Sequence, residues 1–124
     1  MAKKAPKFRY YDQNQLSLLP HSLEDFIPAL HPARIVNSVI DQLDLENLYK
    51  SYADRGGASY HPRILLKVLV YAYLNNIYSS RKIEQACLEN VHYMWLSGMT
   101  HPDHNTINRF RSSKLKMYIE EIFY

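Results

Sequence analysis

The chain has 124 residues, 47% of them hydrophobic and only three of them glycine, which predicts one ordered domain with a buried core. Its single cysteine excludes an internal disulfide and a cysteine-rich zinc site, and favours a reduced, cytosolic setting. The net charge is only +3, and the longest apolar run, residues 64–74, contains a lysine and is too short to cross a bilayer.

The N-terminal segment differs in composition from the rest. Residues 1–20 are polar and basic, with a net charge of +4 over the first eleven, and no apolar stretch of a signal peptide follows them. We therefore expect an extended basic arm over 1–20 and one helical domain over 21–124. At the start of that domain, Ser22 and Asp25 have the spacing of a capping box, which predicts a short helical turn.

Two His-Pro pairs mark the next helix starts, because proline suits the first helical position, where no N–H is needed. After His31-Pro32, apolar residues recur at three- and four-residue steps between positions 35 and 43, as in an amphipathic helix. After His61-Pro62, the residues are apolar on nearly all sides. This pattern predicts a central buried helix that ends near Asn75-Asn76.

The remaining helices begin at polar caps. Ser79 or Ser80 caps a third helix, and a short helical extension containing Trp95 ends at the Ser97-Gly98 turn. Asp103 caps a last helix that runs to near the C-terminus. With no strand-like alternation of useful length, the predicted fold class is all-α, a compact domain of about four main helices.

The last helix carries the most informative polar residues. A recognition helix contacts bases in the major groove with its N-terminal residues; asparagine pairs with adenine, and arginine with guanine. Arg111 and Lys114 are better placed for phosphates. An ordinary exposed polar face would have the same composition. On a wheel of ~100° per residue, the residues that share the candidate base-reading face are His104, Asn105, Asn108, Arg109 and Ser112.

The preceding helix supports this interpretation. Arg81 and Lys82 lie at its start, where they could face phosphates, and residues 55–116 have a net charge of +6. A solvated charged face would give the same count. We expect the two helices to form a helix-turn-helix-like unit, although their spacing exceeds the usual three- or four-residue turn.

Chemical sites are less well supported. His92, His101 and His104 could bind a metal, as a small hydrolase would require. However, the pattern predicts a turn at His101 before a proline, and Asp103, between His101 and His104, is needed as a helix cap. Cys87 lies in an apolar stripe and is better explained as a core residue than as a nucleophile. We therefore predict neither catalytic residues nor a metal site.

Several motifs, in this order and at these distances, resemble the N-terminal domain of bacterial insertion-sequence transposases of the InsH type. The resemblance runs from about Leu19 to the end of the chain and also includes Leu30-His31-Pro32. The motifs are Tyr60-His61-Pro62-Arg63, Ser79-Ser80-Arg81-Lys82-Ile83-Glu84, Trp95-Leu96-Ser97-Gly98, Pro102-Asp103-His104-Asn105-Thr106-Ile107 and Arg109-Phe110-Arg111.

The resemblance implies a role in transposition. In that family this domain binds the terminal inverted repeats of the element and precedes a ribonuclease-H-like domain with an Asp-Asp-Glu site. We expect the chain to stop before that domain, so that it has no cofactor, and magnesium belongs to the absent part. Expected partners are double-stranded DNA and either the catalytic domain or a second copy, in the bacterial cytoplasm.

A second function remains open. Ile119, Ile122 and Phe123 give the end of the last helix an apolar surface. This surface would suit a helical protein-interaction or oligomerisation module without DNA binding.

Overall fold

The computed structural model describes residues 5–10, 12–16, 22–50 and 60–123, with side chains up to Ile119. Within these ranges the regular structure is helical and contains no strand, which confirms the all-α class. A 3-10 turn at Leu23–Phe26 precedes the helices. These are α1 (Pro32–Asp41), α2 (Glu46–Lys50), α3 (Pro62–Leu74), α4 (Ser80–Glu89), α5 (Val91–Leu96), α6 (His104–Arg109) and α7 (Lys116–Phe123), with a π-helical segment, Phe110–Leu115, between the last two.

The N-terminal arm is described only in part. Residues 5–10 and 12–16 are exposed and contain no helix beyond a turn at Asp12–Gln15. The expected boundary between residues 20 and 21 lies outside the described residues, so the division into arm and domain stays a prediction. The capping box is confirmed, since an Asp25 carboxylate oxygen accepts from the Ser22 N–H at 3.0 Å.

Both His-Pro helix starts are confirmed, and the histidine is part of the cap. His31 Nδ1 accepts from the Ala33 N–H at 3.0 Å, and His61 Nδ1 accepts from the Arg63 N–H at 3.2 Å. In each case proline occupies the first helical turn, where the ring costs no hydrogen bond. Each histidine therefore plays the capping role more often taken by serine or aspartate.

The other helix ends follow the predicted chemistry. Ser79 Oγ accepts from the N–H of Lys82 at 3.4 Å and caps α4, and Asn90 caps α5. Helix α3 stops where Asn76 adopts a left-handed conformation with φ of 60°, which asparagine tolerates better than most residues. The short helix α2, in contrast, has no periodicity of its own in the sequence that would distinguish it from α1.

Helix α3 lies at the centre of the core, as its apolar composition predicts. It packs against α1 on one side and against α5 and α4 on the others. The largest fully buried side chains include Leu69 of α3, Ile83 of α4 and Ile107 of α6. These three contributions place α4 and α6 on the same core as α3, so that both helices are held in fixed positions.

The apolar stripe of α1 divides into two parts. Val36 and Ile40 are buried, but Ile35, Val39 and Leu43 keep 58%, 52% and 38% of their surface exposed. Ile35 and Val39 are spaced four residues apart and therefore lie in line on the outer side of α1, and Leu43 follows just beyond the end of the helix. The sequence pattern predicts which residues share one side of a helix. It does not predict how many of them the core buries.

The last helix departs from the single regular helix that its sequence predicts. At ~100° per residue, Leu115 would lie about 140° around the helix from Phe110. The π-helical winding of Phe110–Leu115 instead bonds residues five apart and returns Leu115 to the core side. Both Phe110 and Leu115 are buried as a result. The interruption explains why the apolar positions drift around an ideal helical wheel.

Two serines compensate for the altered winding. Ser112 Oγ donates to the Asn108 carbonyl at 2.8 Å, and Ser113 Oγ donates to the Arg109 carbonyl at 2.5 Å. Serine hydroxyls commonly bond the carbonyl four residues earlier, and such bonds accompany bends in helices. These hydroxyls thus satisfy carbonyls at the junction where α6 passes into the π-helical segment.

Candidate nucleic-acid interface

Helix α4 is fastened to the start of α6 by one carboxylate. A single Glu84 oxygen lies 2.7 Å from the His104 backbone N–H, which donates to it, and 2.8 Å from His104 Nδ1. These hydrogen bonds hold the pKa of Glu84 below its ordinary value. His104, which the sequence assigned to the base-reading face, is half-buried and joins the two helices through Nδ1.

A second link joins the beginning of α4 to the end of α6. Arg111 Nη1 donates to the Tyr78 carbonyl at 2.6 Å, just before the α4 cap, and Nη2 donates to Asn108 Oδ1 at 2.7 Å. The same Nη1 lies 3.4 Å from the Tyr73 hydroxyl, at the end of α3. Going along the chain from Tyr78 to Glu84, the contacts move back from Arg111 to His104. The two segments therefore run antiparallel, and the N-terminus of α4 lies beside the π-helical segment.

The cap of α6 fixes its orientation. Asp103 Oδ1 accepts from the Thr106 N–H at 2.7 Å, which confirms the predicted cap. These bonds to Thr106 lower the pKa of Asp103, so the carboxylate is charged at neutral pH. A negative charge at this position is favourable at the N-terminus of a helix.

The predicted amide and guanidinium groups of α6 lie on the outside of the molecule. Asn105, Asn108 and Arg109 are exposed, while Ile107 between them is buried. Arg109 Nε is 3.4 Å from the Asn105 carbonyl, which holds the guanidinium along the helix. Ser112 is also exposed, but its hydroxyl proton is used within the helix, and only its acceptor capacity is left for another molecule.

The candidate phosphate-binding residues have different environments. Arg81 and Lys82 are exposed in the first turn of α4, whereas Lys114 is half-buried in the π-helical segment. Arg111, also assigned to phosphates from the sequence, is half-buried and makes the bridging contacts described above. The structure therefore brings the start of α4 and the outer side of α6 together, with Arg111 between them.

The predicted link between the two helices has a defined structure. The polypeptide passes from α4 through α5 and then through the loop at 97–103, rather than through one short turn. Ser97 is fully buried, and its Oγ lies 3.1 Å from the Met94 carbonyl and 3.0 Å from the Thr100 carbonyl, so that the two carbonyls share its single proton. Gly98 and Met99 both have positive φ, and at Gly98 this conformation costs glycine nothing.

The histidines considered for a metal site are separated. His92 stacks on His31 with ring centroids 4.0 Å apart, and burial together with His31 lowers the pKa of His92. His104 bonds Glu84, and the carbonyl of exposed His101 accepts from the Tyr60 hydroxyl at 3.0 Å. Among residues 5–10, 12–16, 22–50 and 60–123, no three His, Cys, Asp or Glu side chains are grouped as a metal site requires.

Cys87 has the role expected from its place in the apolar stripe. Its side chain is fully buried in the core beside Ile83 and Tyr93. Burial raises the pKa of its thiol to about 11, so the sulfur is protonated at neutral pH. A buried, protonated thiol is a packing group and a poor nucleophile.

The comparisons with known proteins give one family. A family model described as "Transposase domain (DUF772)" matches residues 21–113, which is well over half of the chain. No curated protein and no solved structure matches. None of the helices in the described ranges combines the length and the apolar character that a membrane span requires.

Proposed function

Because the chain belongs to the transposase-domain family (DUF772), we propose that it binds duplex DNA during transposition. Its specific target is the terminal inverted repeats of the mobile element, as in the InsH-type transposases that the motifs resemble. Helix α6 enters the major groove, and α4 supports it in a helix-turn-helix-like arrangement with α5 inserted between the two.

One observation carries this proposal: Asn105, Asn108 and Arg109 are exposed on a helix whose other side is buried. Amide and guanidinium groups match the donor and acceptor pattern of base edges in the major groove. The helix is also held rigidly, through Ile107 in the core and Glu84 on α4. A rigid support keeps such groups in one orientation, which sequence-specific recognition requires.

The start of α4 supplies the sequence-independent part of the affinity. Arg81 and Lys82 are exposed in its first turn, next to the segment that contains Arg111. Cations that meet phosphates release condensed counterions, so binding falls steeply as salt is added. Phosphate contacts of this kind also set the register in which α6 faces the bases.

The test measures binding of the full chain to two labelled duplexes over a range of salt concentrations. One carries the terminal repeats of the element, and the other carries the same base pairs in scrambled order. We expect salt-dependent binding to both duplexes, with the tighter binding to the repeats. Lys50→Ala is the control for a general loss of positive charge. It removes an exposed cation from α2, outside the proposed interface, and should leave both affinities unchanged. Equal, salt-independent affinities would refute the proposal.

The exposed line on α1 favours a second candidate function. Ile35 and Val39 are exposed on the outer side of this helix, and the exposed Leu43 follows just after its end. Met117 and Ile119 of α7 are also exposed, whereas the remaining apolar residues predicted for this role lie outside the described side chains. A protein-interaction module would use such surfaces for another protein or a second copy.

Light scattering separates this candidate from DNA binding. A self-associating module gives a mass above that of the monomer, and Val39→Ser lowers it, while no duplex shifts in a gel. A DNA-binding domain shifts duplexes in a salt-dependent manner whether or not Val39 is replaced.

A further inference from the structure

Arg111 makes contacts that differ from those of a surface cation. It is half-buried, and its guanidinium joins the Tyr78 carbonyl before α4 to the Asn108 side chain on α6. The Tyr73 hydroxyl lies 3.4 Å from Nη1 and limits the guanidinium on a third side. Arg111 is therefore fixed by groups from α3, from α6 and from the segment between α3 and α4, whereas Asn108 beside it is exposed.

The chemistry of guanidinium determines how Asn108 is turned. Arginine has only donors and no acceptor, so the group of Asn108 that faces it must be the amide oxygen. Oδ1 is 2.7 Å from Arg111 Nη2, in agreement with this requirement. The amide is planar, so Nδ2 points to the other side of the side chain, and the two orientations of the amide are not equivalent.

We propose that Arg111 is a positioning residue that holds Asn108 as a hydrogen-bond donor toward a base edge, an inference that rests on the proposed function. With Oδ1 already engaged, Asn108 meets the duplex first through Nδ2. Purine N7, guanine O6 and thymine O4 accept such a bond in the major groove, whereas cytosine offers an amino donor. Asn108 therefore prefers a purine or thymine at the position that it faces and disfavours cytosine there.

A purely structural role of Arg111 gives a different result. The bonds to Tyr78 and Tyr73 hold α4 and α3 in place, and their loss alone would lower affinity for every duplex alike. A positioning role changes the preference at one base pair and depends on Asn108. The coupling between the two residues, measured by a double-mutant cycle, separates the two roles.

The experiment uses the full chain and a pool of duplexes with a randomised core, from which the preferred sequence is selected. Affinities for that duplex and for all its single-base variants are then measured for the parent chain, Arg111→Lys, Asn108→Ala and the double variant. Discrimination at a base pair is the ratio of the affinity for the preferred duplex to that for the variant at this pair. We expect Arg111→Lys to lower this ratio about three- to tenfold at one base pair. Asn108→Ala loses discrimination at the same pair, and the double variant loses no more than Asn108→Ala.

Asn108→Asp keeps the experiment decisive if the lysine variant is poorly folded. A carboxylate accepts from Arg111 at least as well as the amide does, so the fold is retained, but it has no donor for a base. The same base preference is lost, with an unchanged melting temperature. Arg9→Lys is the matched control for an exposed arginine outside α4 and α6, and it leaves the base preference as in the parent chain.

Three outcomes overturn the inference. In the first, Arg111→Lys weakens binding equally for every base variant. In the second, Asn108→Asp keeps the full base preference. In the third, the effects of Arg111→Lys and Asn108→Ala on discrimination add independently. A parent chain that selects no sequence overturns sequence-specific recognition together with this inference, whereas a selective parent with uncoupled variants overturns only the inference.

Discussion

Basic side chains on α3 bond groups of α1 and α2 within the fold, whereas those at the start of α4 and on α6 are exposed. Arg63 on α3 donates to the Tyr49 hydroxyl at 3.1 Å and to the Ile40 and Leu43 carbonyls at 2.5 and 3.1 Å. Lys67 on the same helix is only 11% exposed and lies 2.7 Å from an Asp41 oxygen. These cations stabilise the C-terminal end of α1, where positive charge is favourable.

The cations on the α4 and α6 side point away from the protein. Arg81, Lys82 and Arg109 are exposed, and the Arg109 guanidinium contacts a carbonyl of its own helix. The net charge of +6 over residues 55–116 therefore overstates the positive surface open to a partner, because Arg63 and Lys67 contribute to it. Counting charges along a sequence locates a basic segment, but only burial and bonding identify the cations available to a partner.

The largest expected effect concerns Arg63. We expect Arg63→Met to lower the free energy of unfolding by about 2–4 kcal/mol, because it leaves carbonyls at the end of α1 without their charged donor. Urea unfolding measures this loss. Arg81→Met, on the exposed side, should change the free energy of unfolding by less than about 0.5 kcal/mol. Equal losses in the two variants would remove the distinction between the two groups of cations.

Arg109 tests the exposed cations of α4 and α6. Arg109→Ala should weaken binding to the preferred duplex by about 1–3 kcal/mol and relax the preference at one position. The melting temperature should not change, because the side chain is exposed and supports no other element. Competition between preferred and scrambled duplexes gives the measurement. If both affinities are unchanged, Arg109 does not contact bases.

Lys82 should have a smaller and more general effect. Lys82→Ala is expected to weaken binding to all duplexes and to reduce the slope of log affinity against log salt by about 1. The affinity is measured at several salt concentrations on preferred and scrambled duplexes. A loss confined to the preferred duplex would contradict a phosphate contact and indicate a base contact instead.

The smallest expected effect concerns pH. The pKa of Glu84 lies below its ordinary value of 4.5 because it bonds His104. The contribution of its carboxylate to stability is therefore complete above pH 4.5 and is lost as the pH falls through the lowered pKa. Glu84→Gln should remove this part of the acid dependence, which urea unfolding at neutral and acidic pH detects. Asp103→Asn is the comparison variant, since asparagine caps α6 without a charge.

An unchanged acid dependence in Glu84→Gln would show that the Glu84–His104 link is not what holds α4 on α6. If Asp103→Asn loses the acid dependence and Glu84→Gln keeps it, the acid dependence of stability comes from the α6 cap.

Local chemistry explains why the helix starts were predicted correctly. Prolines in the first turn and the side chains of Ser79 and Asp103 act within three residues of the backbone groups they satisfy, so the sequence contains the whole interaction. The predicted exposure of Asn105 and Arg109 also depends on local periodicity, because Ile107 between them must be buried.

Long-range contacts explain the parts that were not predicted. Arg63 bonds residues 14 to 23 positions away, and Arg111 bonds Tyr78, 33 positions away. No spacing rule connects such pairs before the fold is known. From local spacing, Arg111 is predicted to contact phosphates, and the local signal for its bridging contacts is only an asparagine three residues earlier. The half-burial of His104 similarly depends on Glu84, which lies 20 residues away.

The π-helical turn at Phe110–Leu115 makes this part of the chain sensitive to length as well as to residue identity. It accommodates a surplus residue that rotates α7 relative to α6. Deleting Ser112 or Ser113 removes that surplus, and a regular α-helix would then bring Leu115 into line with Phe110. An in-frame loss of one codon here is therefore a milder genetic change than the same loss inside α3, where the side chains that follow within the helix would rotate by about 100° relative to the core.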